Sequence, residues 1–532
     1  MSAAVLPTSQ RRTIASDEVE HIDLIPLIQR PSDHGEYDEV VPQSEYQSDD
    51  EALLPKDKGD VGEIDKWALG CLMLQHLSNT FNTGLYEFAA FLFLIEVYRD
   101  TLVPASLVGL FSKCAGLLFS GYIGGLVDTT PRLQLVRLAI SAEKSLNAIN
   151  YGLFLLLFGP LRPYAQDAFH GNGDWTSVVA VWSITGLTVA TSSITTLANT
   201  GLTVAVERDW VTTIAQGRSA HLTLLNTSIR RIDLFSKLVA PLFVSLLTTW
   251  RGYSFASLVL LCMALLSFAA EFWWIEVVYK RFPVLHDQFR HRDHEQREAG
   301  GAERRNWRGW LEMEIKDWIE FARLPIFCSS IAIATIYLTT LSYDGTFIAY
   351  IKAVRGWDDA FIAAMRGLCV LTGLLGTVVM PILERRIGLE RAGAWSIWFE
   401  IGCLLPVLLS FFIGTGQYGE KGPAWNSIVL FGGIALSRIG LWSFDLIQLK
   451  ELQLALDDHP RRNRLTALQI SLQNLFDLMK YLVTLLASSP AQFKWTAVVS
   501  FVAIVGGGVS YAVYLRSVRG HLVHLGWLRK AI

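Results

Sequence analysis

Twelve apolar stretches, each long enough to cross a lipid bilayer as a helix, constrain this chain more than any other feature. A hydrocarbon layer about 30 Å thick takes roughly 20 residues of α-helix. Runs of that length lie near 67–98, 102–127, 133–159, 175–200, 223–248 and 253–279, then near 324–353, 359–384, 389–414, 425–449, 464–488 and 493–516. Lipid offers no partner to an exposed peptide group, so such runs have to be helical. The chain is 51% hydrophobic and only 18% charged, against roughly a quarter charged in soluble domains. A net charge of -3 leaves no footprint for nucleic acid. Six scattered cysteines without CxxC spacing indicate neither a disulfide framework nor a structural zinc site.

A polar stretch from Lys280 to about Arg323 divides the runs six and six. Eight Lys/Arg fall between Lys280 and Arg308, and basic groups mark the other even-numbered connections, such as Arg385 with Arg386 and Arg461 with Arg462. By the positive-inside rule both termini are then cytoplasmic. Two six-helix bundles joined by a cytoplasmic linker is the major-facilitator plan, an all-α membrane protein whose substrate sits between two rocking halves. The expected divisions are a disordered acidic tail over 1–64, a first bundle over 65–280, a basic linker over 281–323, a second bundle over 324–517 and a tail over 518–532. Two stretches of the acidic tail, Glu20–Ile25 and Asp49–Leu54, have the acidic-xxx-Leu-Leu/Ile form of endosomal or vacuolar sorting signals.

An acid at membrane depth costs roughly 2.5–3.5 kcal/mol on insertion scales, so it has to be protonated, paired or facing water. Glu87, Glu143 and Glu271 fall in the first, third and sixth runs. Thr83 lies one turn before Glu87, and with Asn82 the pair offers hard oxygen donors for a divalent cation or a proton relay. Glu143 has Lys144 beside it, although neighbours in sequence point apart on a helix. Glu271 lies toward the cytoplasmic end, where a structural role is equally compatible. In the seventh run Asp344-Gly345 separates two apolar halves and predicts a broken helix, with the Ser342–Gly345 turn as a candidate site. In the eleventh, Asp477 and Lys480 are spaced to pair on one face, unless Lys480 turns into the cavity and titrates. The glycine-rich loop Gly121-Tyr-Ile-Gly-Gly-Leu-Val-Asp128-Thr-Thr-Pro-Arg132 allows close helix approach and carries charges that can latch one side.

Three further blocks carry a resemblance: Val206-Glu-Arg-Asp-Trp-Val211, Asn226-Thr-Ser-Ile-Arg-Arg-Ile-Asp233 and Ala435-Leu-Ser-Arg-Ile-Gly-Leu-Trp-Ser-Phe-Asp445. They resemble the ferroportin family, the solute carrier family 40 iron exporters, and the likeness runs from about the first helix through the twelfth. The resemblance implies export of ferrous iron or a related divalent metal by alternating access, with proton antiport in animal members. One family metal site, an Asp and a His on the first helix, falls on Thr83 and Glu87. The other, a Cys after the Asp of the seventh helix and a His on the eleventh, falls on Gly345 and Lys480, beside Asp344. That Cys also anchors the peptide hormone that closes vertebrate members, so no such regulation is expected here. The family's calcium-associated acid on the sixth helix falls on Glu271, and Glu143 stands where a glutamine usually contributes. Asp209, Asn226, Arg230, Asp233 and Arg462 fall on positions that close the cytoplasmic side, with Asp128 and Arg132 in support.

The expectation is a monomeric, multi-pass secondary transporter of a divalent metal ion, Fe2+ first, with the lipid bilayer as its other partner and no resident cofactor. Lys480 stands in for a second bound cation, leaving one metal site at Glu87, Thr83 and Asn82, with any proton coupling through Lys480. The host is the plasma membrane or a vacuolar or endosomal membrane. A proton-coupled carrier of a non-metal solute stays open because the Cys and His ligands are missing. A non-transporting membrane sensor, signalling through tail and linker, is the reading from another class. No nucleophile–base pair or catalytic-metal spacing points to an enzyme.

Overall fold

The computed structural model describes residues 65–98, 103–164, 175–286, 307–342, 345–417, 419–486 and 492–519. The sorting-like stretches of the acidic tail, and Asp344, lie outside the described residues.

α1 (Lys66–Val97) opens on Asp65, whose carboxylate accepts the free N–H groups of Trp67 and Ala68. α2 (Val103–Thr129), α3 (Arg132–Phe158) and α4 (Trp175–Leu202) follow. α4 continues through a π-helical stretch, Thr203–Trp210, into a last turn at Val211–Ala215. α5 (Ser219–Arg251) and α6 (Tyr253–Arg281) complete the first group. α7 (Trp307–Arg323) lies in the linker. The second group comprises α8 (Ile326–Tyr337), α9 (Gly345–Ala353), α10 (Asp359–Ile387), α11 (Leu389–Ser410), α12 (Ala424–Ala455), α13 (Arg462–Leu486) and α14 (Phe493–Arg519).

Among the described residues, eight helices are each long and apolar enough to cross a membrane, or nine if α7 and α8 count as one span bent by 101°. Twelve were expected. α1, α3 and α13 fall short because they carry polar side chains that the bundle buries: Gln75, His76 and Asn79 on α1, Glu143, Lys144 and Asn147 on α3, Asn463, Arg464 and Gln469 on α13. Hydropathy averages all faces of a helix, whereas lipid meets only one.

In the first group α1 packs on α5 and α6, and α4 and α6 flank α3; in the second, α12 and α14 flank α11, and α8 lies on α14. Aromatic rings fill the first core, with Phe93 edge-on to Phe154, Phe158 and Tyr253. The groups meet along α2 against α13 and α5 against α10. At the first of these seams Gly124 lies so close to α13 that a Cβ would come within 2.5 Å of the Ala467 Cβ and 2.6 Å of the Asn463 carbonyl oxygen. This all-α, two-group layout is the major-facilitator fold.

The seventh run breaks near the predicted place. α8 stops at Tyr337 and α9 starts at Gly345. Backbone groups freed in the break find partners: the Thr340 N–H donates to Ser500 Oγ at 2.8 Å, the Leu341 N–H to Thr339 Oγ1 at 3.1 Å, and Arg438 donates to the Leu341 carbonyl. Side chains of α14 and α12 therefore stand in for the missing helical bonds, as unwound backbone within a membrane requires.

Candidate functional site

Two adjoining cavities, a polar one of about 320 Å³ and a more apolar one of about 390 Å³, open between the groups. Thr83, Glu87, Lys113, Thr196 and Asn199 line both, so α1, α2 and α4 supply a shared wall. Glu87 is exposed into this space, and among the described residues no hydrogen bond or ion pair engages its carboxylate. The 320 Å³ cavity also reaches Glu207, Arg208, Arg230, Asp233 and Asp445. Glu207 and Arg208 belong to the π-helical stretch, and the next residue, Asp209, is buried. π-helical insertions re-aim side chains at functional positions; here three successive charged residues serve two different places.

Asp209 anchors a dense contact between the groups at the linker end. It accepts from Arg132 at 2.5 and 3.0 Å within the first group, and from Arg462 across the seam. Both arginines also donate to Thr213 Oγ1, at 3.0 and 3.3 Å. Arg230 pairs with Asp233 on its own helix at 3.1 Å and with Asp445 of α12 at 2.7 Å. Asn226 donates to Gln453 at 2.7 Å. The glycine-rich segment expected as a loop is helical as far as Thr129, the end of α2, and its Asp128 Oδ2 accepts the Arg464 N–H at 3.1 Å at the start of α13. Lys450 reaches from α12 to Ser219 and Thr223 at 2.6 and 2.7 Å while pairing with Glu384. At the linker end, charge pairs and hydrogen bonds therefore bridge the two groups.

Other residues expected at the site lie elsewhere. Glu143 and Glu271 are 0% exposed and share Lys144, itself 1% exposed, whose ammonium lies 3.2 and 3.1 Å from them and 3.2 Å from Asn79 Oδ1. Ser78 donates to Glu271 at 2.6 Å and Thr83 to Glu143 at 3.1 Å. Adjacent Cβ atoms do point apart on α3, but the long lysine stem brings Nζ back onto its neighbour's carboxylate. Asn82 donates to the Ser78 carbonyl at 2.8 Å and lines a different recess, between α1, α5 and α6. Lys480 pairs with Asp477 at 2.8 Å, and Lys113 of α2 meets the other carboxylate oxygen at 2.9 Å. Gly345 begins α9.

Sequence reasoning missed Lys113, Glu207, Arg208 and His76, whose Nε2 lies 2.8 Å from Asp233 Oδ1, and noted Lys144 only as the neighbour of Glu143. The signal was available: each is an ionisable group inside or beside an apolar run, the same mark that singled out Glu87.

A family model described as Ferroportin1 (FPN1) matches residues 66–504. The chain is 30% identical to solute carrier family 40 member 1 of Oryza sativa subsp. japonica, over 90% of this chain and 97% of the relative. It is 24% identical to the Homo sapiens protein named ferroportin, covering 85% and 91% of the two chains. Among solved structures, a bacterial homologue of the iron transporter ferroportin, outward-facing with soaked iron, superposes with a TM-score of 0.68 at 21% identity, covering 84% of this chain and 98% of that one. The inward-facing form of such a homologue gives 0.56 over 84% and 98%, also at 21% identity. This chain belongs to the ferroportin family.

Proposed function

We propose that the chain is a secondary transporter, not an enzyme, that exports ferrous iron or a related divalent metal ion by alternating access. The observation that carries the reading is Glu87: a carboxylate on a membrane helix, open to a polar cavity and committed to no neighbour. Thr83 and Asn199 add neutral oxygens at the same wall, a hard donor set that suits a divalent cation retaining some of its water. The pairs Asp209–Arg462 and Arg230–Asp445 hold the linker end shut and have to part for the cavity to open there, the two-state element that alternation needs. The higher TM-score against an outward-facing relative supports assigning this conformer to that state. With basic connections inside, the linker end and both termini are cytoplasmic, in the plasma membrane or a vacuolar or endosomal membrane. The functional unit is a monomer and takes no peptide-hormone regulation.

Asp477, held between two ammonium groups, takes the place of a second metal site in this reading, and any proton coupling runs through Lys480. One observation favours a second reading, a proton-coupled carrier of a non-metal solute: no group of three or more His, Cys, Asp or Glu that could hold a metal occurs among the described residues. Purified protein in liposomes containing a metal-sensitive dye distinguishes the two. Entry of Fe2+, Co2+ or Mn2+ that Glu87→Gln abolishes is the expected result. Dye signals equal to protein-free liposomes for all three ions, with and without a pH gradient, would remove the metal from the account.

A further inference from the structure

The linker helix α7 turns through 101° into α8 at Leu324-Pro325. When α8 crosses a bilayer, α7 therefore lies along its surface. Its two faces differ. The inner one carries Glu314, Asp317 and Phe321, all buried. Glu314 meets Arg464 at 3.1 Å, Asp317 pairs with both Arg461 and Arg464, and Glu320 pairs with Arg461 and lies 3.1 Å from His459. The outer face leaves Ile315 51% and Ile319 47% exposed. Lys316 and Arg323, both exposed, stand two turns apart on one side of it. With Ile319, Glu320 and Leu324 they border a recess of about 390 Å³.

Cytosol is a poor place for two isoleucines one turn apart. A helix lying flat, with apolar residues flanked by cations, has the make-up of an interfacial helix. Anionic headgroups attract basic side chains near a membrane surface, and the exposed Lys316 and Arg323 supply them on this face. The one carboxylate bordering the recess, Glu320, is already engaged by Arg461 and His459, so the recess presents its two cations.

We infer that the outer face of α7 docks on anionic phospholipid, with Lys316 and Arg323 at headgroup phosphates and Ile315 and Ile319 at the acyl boundary. The contact bears on the closed linker end, a consequence that rests on the transport reading. Arg461 and Arg464, which α7 grips, bracket Arg462, and Arg462 holds Asp209 across the seam. A lipid-held α7 thus braces the closed state.

The full chain with Cys262→Ser and Ile315→Cys, labelled with bimane and placed in nanodiscs, tests the docking. In phosphatidylcholine containing phosphatidylglycerol, the label should be quenched by brominated phosphatidylglycerol and shielded from aqueous iodide. Lys316→Gln with Arg323→Gln should lose at least half of both effects. Equal iodide quenching with and without phosphatidylglycerol, or bromolipid quenching that the double variant leaves unchanged, would overturn the inference. In liposomes, metal flux should change at least twofold on adding phosphatidylglycerol, and the double variant should abolish that change. A lipid-independent flux would remove the brace alone. Absence of flux in every lipid would count against the transport reading, while the quenching result still decides the docking.

Discussion

Glu143 and Glu87 stand on neighbouring helices, both within apolar runs, yet they have opposite surroundings. Glu143, with Glu271, is sealed inside the first group and shares one ammonium. Glu87 looks into an open polar cavity. Membrane depth alone therefore does not identify a transport residue. A carboxylate in a dry place is tied to a structural partner, because an unpaired buried charge is expensive. A carboxylate in a wet place can wait for a mobile cation.

Removing the internal cation should have the largest effect on the difference. Lys144→Met leaves two acids facing each other without water, and breaking a buried pair in this way costs about 3–5 kcal/mol. Thermal unfolding in detergent should show that loss; an unchanged transition would mean that water reaches the triad and that the dry–wet distinction fails. The seam comes next. For half-buried Arg230 and buried Asp445, 2.7 Å apart, a double-mutant cycle on thermal stability should give a coupling of roughly 1–3 kcal/mol. Near-zero coupling would mean that this pair does not hold the two groups together. Arg462→Gln weakens the closed linker end, and a tilt of about 1.4 kcal/mol changes the ratio of the two states tenfold. A cysteine at Thr200, which lines the cavity, should then react faster with an impermeant thiol reagent added from the linker side. The smallest effect belongs to Asn226→Ala, which removes one neutral hydrogen bond to Gln453 and should cost about 1 kcal/mol.

Much of this was legible in the chain. Apolar run length gave the helices, and Asp344-Gly345 announced the interruption after Tyr337. The family resemblance pointed to Asp209, Arg230 and Arg462, and the i, i+3 spacing to the Asp477–Lys480 pair. What stayed hidden depends on contacts between helices that no local pattern encodes. Lys144 reaches Glu271 and Asn79 only because α3, α6 and α1 converge. Glu207 borders the cavity while Asp209 is buried against Arg132 and Arg462, and only the assembled helices show which partner each one meets. α7 looks polar in sequence because its acids serve arginines 144–150 residues away.

The central claim is that Glu87, and not the buried acids, meets the travelling cation. Calorimetric titration of Co2+ into purified wild type, Glu87→Gln and Glu271→Gln tests it most directly. The account predicts at least about tenfold weaker binding for Glu87→Gln, a loss of about 1.4 kcal/mol, with Glu271→Gln close to wild type. Wild-type affinity in Glu87→Gln, or a loss confined to Glu271→Gln, would contradict it.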